Sequence, residues 1–121
     1  MILGMRTVLY PAPDLAQGKA FYTQVLGKEP YFDQPFYVGY EVGGFELGLL
    51  PDAMPGQTGA IAYWGVPDAV AELERLQGLG AELRDDVQEV GEGIKVAAVL
   101  DRFGNVFGII ENPHFDKAKS R

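Results

Sequence analysis

The chain has 121 residues, of which 47% are hydrophobic and 22% charged, a composition typical of one soluble globular domain with its own core. It contains no cysteine, which excludes disulfide bridges, thiolate metal sites and cysteine nucleophiles. Ten basic and 17 acidic residues give a formal net charge of -7, so the phosphate backbone of a nucleic acid would be repelled. We therefore expect no nucleic-acid partner.

The opening residues, MILGMRTVLY, lack the basic segment, long apolar core and cleavage motif of a secretory signal. No stretch approaches the apolar length that a membrane-spanning helix requires. From these two observations we expect a cytoplasmic protein without a membrane partner.

The first half of the chain has the pattern of a strand, a helix and three short strands. MRTVLYPA alternates as a strand, and PDLAQGKAFYTQVLG has the period of a helix that Asp14 caps and Gly27 ends. PYFDQ, FYVGYEV and FELGLL follow as strands, because turn signals at Gln34-Pro35 and Gly43-Gly44 separate them.

The second half repeats this order. GAIAYWGV is predicted as a strand, PDAVAELERLQGLG as a helix that Asp68 opens and Gly80 closes, and AELRDDVQEV, IKVAAVLD and NVFGIIEN as three more strands. The corners Pro13-Asp14 and Pro67-Asp68 lie 54 residues apart, which indicates an internal repeat of two βαβββ units. We expect helices near residues 14–26 and 68–79 in a single domain spanning 1–121, with modules at about 5–52 and 58–112 and a tail at 113–121.

Two motifs carry a resemblance to a known family. The opening V-L-Y-x-A-P-D-L-x-x-x-x-A-F-Y-x-x-V-L-G and the closing D-x-x-G-N-x-x-x-I-x-E resemble the vicinal oxygen chelate superfamily, which includes glyoxalase I, extradiol dioxygenases, fosfomycin-resistance enzymes and bleomycin-resistance proteins. The resemblance covers roughly residues 5 to 112. It implies an α+β fold in which two βαβββ modules form a curved mixed sheet, a cup, with helices on the convex side.

Strand alternation assigns residues to the two sides of that cup. We predict that Tyr10 and Tyr63 face the helices as core, and that Leu47, Leu49, Phe107 and Ile109 face the same side. Trp64 is predicted to line the cavity as a pocket wall. Small inward residues in the middle of the strands, such as Gly48 and Gly108, predict open space. The predicted ligand-binding residues are Thr7, Leu9, Glu46, Gly48, Leu50, Ala60, Ala62, Trp64, Gly108 and Ile110.

Metal-dependent members of the family hold a divalent ion with four side chains of the cup. The resemblance places those positions at Thr7, Glu46, Ala60 and Gly108, of which only Glu46 carries a strong ligand. One carboxylate supplies too few donors for such an ion. We therefore expect no bound metal and predict no other cofactor.

Two single residues remain open to interpretation. Glu46 is the candidate catalytic residue, either a general base with a raised pKa or an anchor for a cationic or hydroxyl group. His114, the only histidine, follows Pro113 and is predicted to be an exposed terminal residue.

The sequence favours a metal-free small-molecule-binding protein similar to the bleomycin-resistance members, enclosing an apolar or cationic ligand. The alternative is a glyoxalase-like lyase or isomerase, or a dioxygenase-type enzyme, that uses Glu46 as base or metal ligand. We also expect a homodimer, because the family pairs modules and short strands leave edges to cover.

Overall fold

The computed structural model describes residues 1–114, which form two compact units, residues 1–55 and 56–114. Each unit is a four-stranded mixed sheet with one helix packed against it. The α+β fold of two βαβββ modules predicted from the sequence is confirmed.

The first unit contains β1 (Thr7–Pro11), α1 (Leu15–Leu26), β2 (Phe32–Gln34), β3 (Tyr37–Val42) and β4 (Phe45–Leu50). Its strands lie in the order β1-β4-β3-β2, with β1 parallel to β4 and the other pairs antiparallel.

The second unit contains β5 (Tyr63–Gly65), α2 (Ala69–Gly78), β6 (Glu82–Gly91), β7 (Ile94–Leu100) and β8 (Val106–Glu111). Its order, β5-β8-β7-β6, repeats that of the first unit, and β5 is parallel to β8. The strand predicted over GAIAYWGV is much shorter than expected, since only its last part pairs with β8.

Both helices begin where the Pro-Asp corners predict. The Asp14 carboxylate accepts the Gln17 N–H at 3.1 Å, and the Asp68 carboxylate accepts the Ala71 N–H at 3.1 Å. Helix α2 has an additional cap, because Glu111 Oε1 accepts the Ala69 N–H at 2.9 Å. Neither helix of the described chain has the length and apolar character needed to cross a membrane.

The strand residues that face the helices form the core of each unit. In the first unit Tyr10, Leu47 and Leu49 are buried, and the Tyr10 ring meets the Tyr22 ring edge-on with centroids 5.5 Å apart. In the second unit Phe107 and Ile109 are buried in the same way. The predicted alternation is therefore confirmed for β1, β4 and β8.

The segment between β7 and β8 is a turn built on a buried carboxylate. Asp101 Oδ1 accepts the N–H groups of Phe103 and Asn105, each at 2.9 Å, and Oδ2 accepts Asn105 Nδ2 at 3.0 Å. Gly104 has a φ of +87°, which favours glycine. The D-x-x-G-N motif thus stabilises the turn between β7 and β8.

The hairpin between β6 and β7 turns through Gly91, Glu92 and Gly93, all with positive φ. His114 is exposed, as predicted, and its Nε2 lies 2.8 Å from the Glu92 carbonyl oxygen.

Replacing Asp101 by alanine should lower the free energy of unfolding by more than about 2 kcal/mol, because buried N–H donors lose their acceptor. Chemical denaturation of the Asp101→Ala variant measures this loss. The matched control is Asp86→Ala, which removes an exposed carboxylate bonded to Val87 N and should cost about 0.5 kcal/mol or less. Equal stability of the two variants would contradict the structural role of Asp101.

Candidate functional site

The face of the first sheet that points away from α1 carries a polar site centred on Glu46. Thr7 is the strand partner of Glu46, and Gly39 is the partner of Gly48 on the neighbouring strand. Alternation brings the following residues to this face: Thr7, Leu9, Tyr37, Gly39, Glu46, Gly48 and Leu50. The five site residues predicted for the first unit therefore share one face.

Three hydroxyl groups converge on the Glu46 carboxylate. Tyr37 donates to Oε1 at 2.6 Å, and Thr7 donates to the same oxygen at 3.1 Å. Tyr31 donates to Oε2. Among residues 1–114, these are the side chains that bond to the carboxylate, and all three are neutral donors.

The two glycines on this face make room for the groups above them. A Cβ atom on Gly39 would lie 2.6 Å from Glu46 Oε2, and one on Gly48 would lie 2.6 Å from Tyr37 Cζ. Both distances are far inside van der Waals contact. The open space predicted above Gly48 is therefore occupied by the Tyr37 ring, since that ring lies where a side chain at 48 would extend.

Opposing influences set the pKa of Glu46. Partial burial alone would raise it, but the hydrogen bonds from Tyr31, Tyr37 and Thr7 together lower the pKa below the ordinary value of 4.5. The hydrogen bond to Glu46 raises the pKa of Tyr31, while burial, helped by the same carboxylate, raises that of Tyr37. At neutral pH the site thus holds an ionised glutamate and two protonated phenols.

The sequence left two interpretations of Glu46 open. The raised pKa expected for a general base is wrong, because the hydrogen bonds lower the pKa of Glu46. The role of Glu46 as base or anchor stays a prediction. The hydroxyl groups that Glu46 anchors belong to the protein itself, and its ionised form is suited to a cation.

Aromatic rings border the carboxylate. Tyr31 and Phe36 are each 65% exposed and Phe32 is 37% exposed. The Phe32 ring lies 5.9 Å from the Phe36 ring and 6.0 Å from the Tyr37 ring, measured between centroids. We call Tyr31, Phe32, Phe36 and Tyr37 the aromatic cluster.

Sequence reasoning missed both tyrosines of the site. Tyr37 has a signal, because Val38 and Tyr40 are buried against the helix side and strand alternation then turns Tyr37 to the other face. Tyr31 lies before β2, where no alternation applies.

The predicted site residues of the second unit are arranged differently from expectation. Tyr63, not Trp64, is the strand partner of Gly108. Trp64 stacks on buried Phe107, with centroids 6.3 Å apart and planes at 16°. The predicted orientations of Trp64 and Tyr63 are therefore wrong, and Tyr63 is 44% exposed rather than core.

The reason for this error is where the strand begins. Ala60 and Ala62 precede β5, so the alternation starts at Tyr63, and pairing with β8 decides which side each residue faces. Ala62 contributes through its backbone, since its carbonyl oxygen accepts the Gly108 N–H at 3.1 Å. Ala60 is exposed, and Ile110 is partly buried at the end of β8.

Open space above Gly108 was predicted, and this prediction is also wrong. A Cβ atom there would lie 2.7 Å from the Ala62 carbonyl oxygen and 2.7 Å from Tyr63 Cδ1. Gly108 thus allows the Tyr63 ring and the backbone before it to close onto β8.

The residues do not fit the metal site of the family. The two units can be aligned by an equivalent backbone hydrogen bond just before each helix. The Ala12 N–H donates to the Leu50 carbonyl, and the Val66 N–H donates to the Ile110 carbonyl. Counting back from these carbonyls, Val106 corresponds to Glu46 in the repeat, and Gly108, the ligand position that the resemblance implies, corresponds to Gly48. Neither Val106 nor Gly108 carries a metal-binding side chain. Among the described residues no group of three or more histidine, cysteine, aspartate or glutamate side chains is placed to hold an ion.

A separate groove of about 400 Å³ lies between α1 and the β2–β3 edge of the sheet in the first unit. None of the predicted site residues lines it. The lining residues are Leu15, Ala16, Lys19, Asp33, Gln34, Pro35 and Val38.

A sequence model of the Glyoxalase/Bleomycin resistance protein/Dioxygenase superfamily matches residues 4–109 of the chain. No curated protein matches the sequence significantly.

Solved structures show the same fold at low sequence identity. A glyoxalase-related enzyme from Fulvimarina pelagi has a TM-score of 0.76 and 21% identity, and the match covers 93% of this chain and 90% of that one. A genomically encoded fosfomycin resistance protein from Listeria monocytogenes has a TM-score of 0.78 at 16% identity, covering 94% and 97%. A lactoylglutathione lyase from Agrobacterium tumefaciens has a TM-score of 0.69 at 20% identity, covering 96% and 100%.

Replacing Gly108 by alanine should lower the free energy of unfolding by about 1–3 kcal/mol, because the new methyl group meets the Ala62 carbonyl. Thermal or chemical denaturation tests this expectation. Gly65→Ala is the matched control: it lies on the neighbouring strand with no heavy atom within 4 Å of the added Cβ, and should change stability by about 0.5 kcal/mol or less. Unchanged stability of Gly108→Ala would show that open space does exist there.

The Glu46 carboxyl should titrate below 4.5, and its pKa should rise in Tyr37→Phe, which removes one donor. NMR titration of the side-chain carboxyl carbon measures both values. Because the folded-state pKa lies below the unfolded one, ionised Glu46 stabilises the fold above about pH 4.5. That contribution is lost as the pH falls through the folded-state pKa. A pKa at or above 4.5 in the parent protein would contradict the effect assigned to the three hydroxyl hydrogen bonds on Glu46.

Proposed function

The chain belongs to the glyoxalase/bleomycin resistance protein/dioxygenase superfamily, and from this premise we propose that it is a metal-free small-molecule-binding protein whose ligand is a cation. One observation carries the proposal: an ionised Glu46 lies beside the aromatic cluster, of which Tyr31, Phe32 and Phe36 are exposed, on the face of the first sheet. A carboxylate attracts a positive charge, and aromatic rings bind organic cations through their faces.

The charge of the whole chain supports a cationic ligand. A formal net charge of -7 attracts small cations and repels anionic metabolites, including phosphate esters. Leu9, which is 51% exposed and pairs with Gly48, and Leu50, farther along β4, lie on the same face as Glu46 and offer apolar surface. A compound that joins a positive group to an apolar or aromatic body matches this surface. The predicted ligand-binding role of Ala60, Ala62, Trp64, Gly108 and Ile110 in the second unit stays a prediction.

The geometry gives less support to an enzyme that uses Glu46. An effective general base has a pKa near the working pH, whereas that of Glu46 is lowered. Its two oxygens also already accept hydrogen bonds, from Thr7 and Tyr37 on one side and from Tyr31 on the other. Proton abstraction by Glu46 would require these bonds to break first.

Benzamidinium and benzamide test the proposal, since they have nearly the same shape but only the first is charged. Isothermal titration should show tighter binding of benzamidinium, and Glu46→Gln should weaken that binding about tenfold or more while leaving benzamide unaffected. The control Glu74→Gln changes the net charge equally at an exposed position of α2, and should not alter the preference.

Elemental analysis of the same preparation after dialysis completes the test. Stoichiometric zinc, nickel, manganese or iron that is lost on Glu46→Ala would overturn the metal-free proposal. Equal binding of the two probes would overturn the cationic ligand class.

A further inference from the structure

We propose that Tyr31 is a displaceable stopper on Glu46, and that a cationic N–H donor of the ligand takes over its hydrogen bond to Oε2. The inference rests on the proposed function, because it specifies how the same site admits its ligand. It assigns Tyr31 as the residue that sets specificity.

The two oxygens of Glu46 are held unequally. Oε1 accepts two hydroxyls, from Thr7 and from Tyr37. Among the described residues, Oε2 accepts only the hydroxyl of Tyr31. A ligand can therefore bind Oε2 by displacing one side chain, whereas binding Oε1 in the same way would require two side chains to move.

Tyr37 and Tyr31 also differ in how firmly they are placed. The Tyr37 ring is partly buried and fills the place of a side chain above Gly48, so its displacement would open a void against the sheet. Tyr31 is 65% exposed and precedes β2. Its backbone is fixed separately, since its N–H donates to the Gly39 carbonyl at 3.0 Å. Rotation of the side chain alone frees Oε2.

The exchange favours a cation over a neutral ligand. Tyr31 is a neutral donor, and a positively charged N–H group forms a stronger, charge-assisted hydrogen bond to the same carboxylate. The displaced Tyr31 ring and the neighbouring Phe32 ring then lie beside the positive charge, where their faces stabilise it. A neutral amide would replace one neutral donor by another on the same carboxylate and gain little.

The variant Tyr31→Phe separates this mechanism from simple attraction. It keeps the ring but removes the hydroxyl that competes for Oε2, so benzamidinium should bind about threefold to tenfold more tightly than to the parent protein. Tyr37→Phe is the matched control: it removes the same hydroxyl from the other oxygen, leaves the stopper in place, and should not tighten binding. Isothermal titration of both variants with benzamidinium and benzamide gives the comparison.

The outcomes distinguish the two levels of inference. If benzamidinium binding depends on Glu46 but Tyr31→Phe binds it equally or more weakly, the stopper is overturned while the proposed function stands. Equal tightening by Tyr31→Phe and Tyr37→Phe would also overturn it, because the oxygens would then be equivalent. If neither the parent protein nor Tyr31→Phe prefers benzamidinium over benzamide, both inferences fail. If the preference emerges only in Tyr31→Phe, the Tyr31 hydroxyl holds Oε2 without yielding to the cation, and the displaceable stopper is overturned together with the proposed function.

Discussion

The site on the first sheet depends on a pair of glycines that face each other across two strands. Gly39 and Gly48 are partners in the antiparallel pairing of β3 with β4, and neither presents a side chain to the open face. Glu46 and Tyr37 can therefore lie close to the sheet rather than extend from it. Because both side chains lie close to the sheet, the Tyr37 hydroxyl can donate to the Glu46 carboxylate. Thr7 and Tyr31 donate the other two hydrogen bonds. The hydrogen bonds that lower the pKa of Glu46 therefore depend on the space that the two glycines leave above the sheet.

The second unit uses the equivalent glycine for another purpose. Gly108 lies two residues before Ile110, whose carbonyl accepts the Val66 N–H, just as Gly48 lies two residues before Leu50, whose carbonyl accepts the Ala12 N–H. Its open side is closed by the Ala62 backbone and the Tyr63 ring, and Val106 stands where the first unit has Glu46. The repeat thus preserves the backbone plan while the chemistry differs between its copies. At this position of the repeat each glycine allows a close approach, but the group that approaches differs: the Tyr37 ring at Gly48, and the Ala62 backbone and Tyr63 ring at Gly108.

Sequence patterns predicted the fold well because its signals are local. The Pro-Asp corners cap both helices, and alternation alone placed Leu47 and Leu49 in the core. The pattern failed at β5, where pairing with a strand more than 40 residues away sets the register of Tyr63. In the first unit, alternation predicted that the five site residues share one face, and the same alternation could have found Tyr37. Convergence of Tyr31 on a carboxylate 15 positions away depends on tertiary structure, which no local pattern encodes.

The bond from Glu111 to the first turn of α2 has a consequence for the order in which the second unit folds. The helix begins at Ala69, but the carboxylate that accepts the Ala69 N–H lies 42 positions later, at the end of the last strand. During synthesis α2 is therefore complete long before its second cap leaves the ribosome. An isolated helix of ten residues is marginal in water, so α2 gains its full stability only when β8 docks. Helix and final strand should consequently form as one cooperative event, and a nascent chain that stops short of Glu111 would carry an incompletely capped helix.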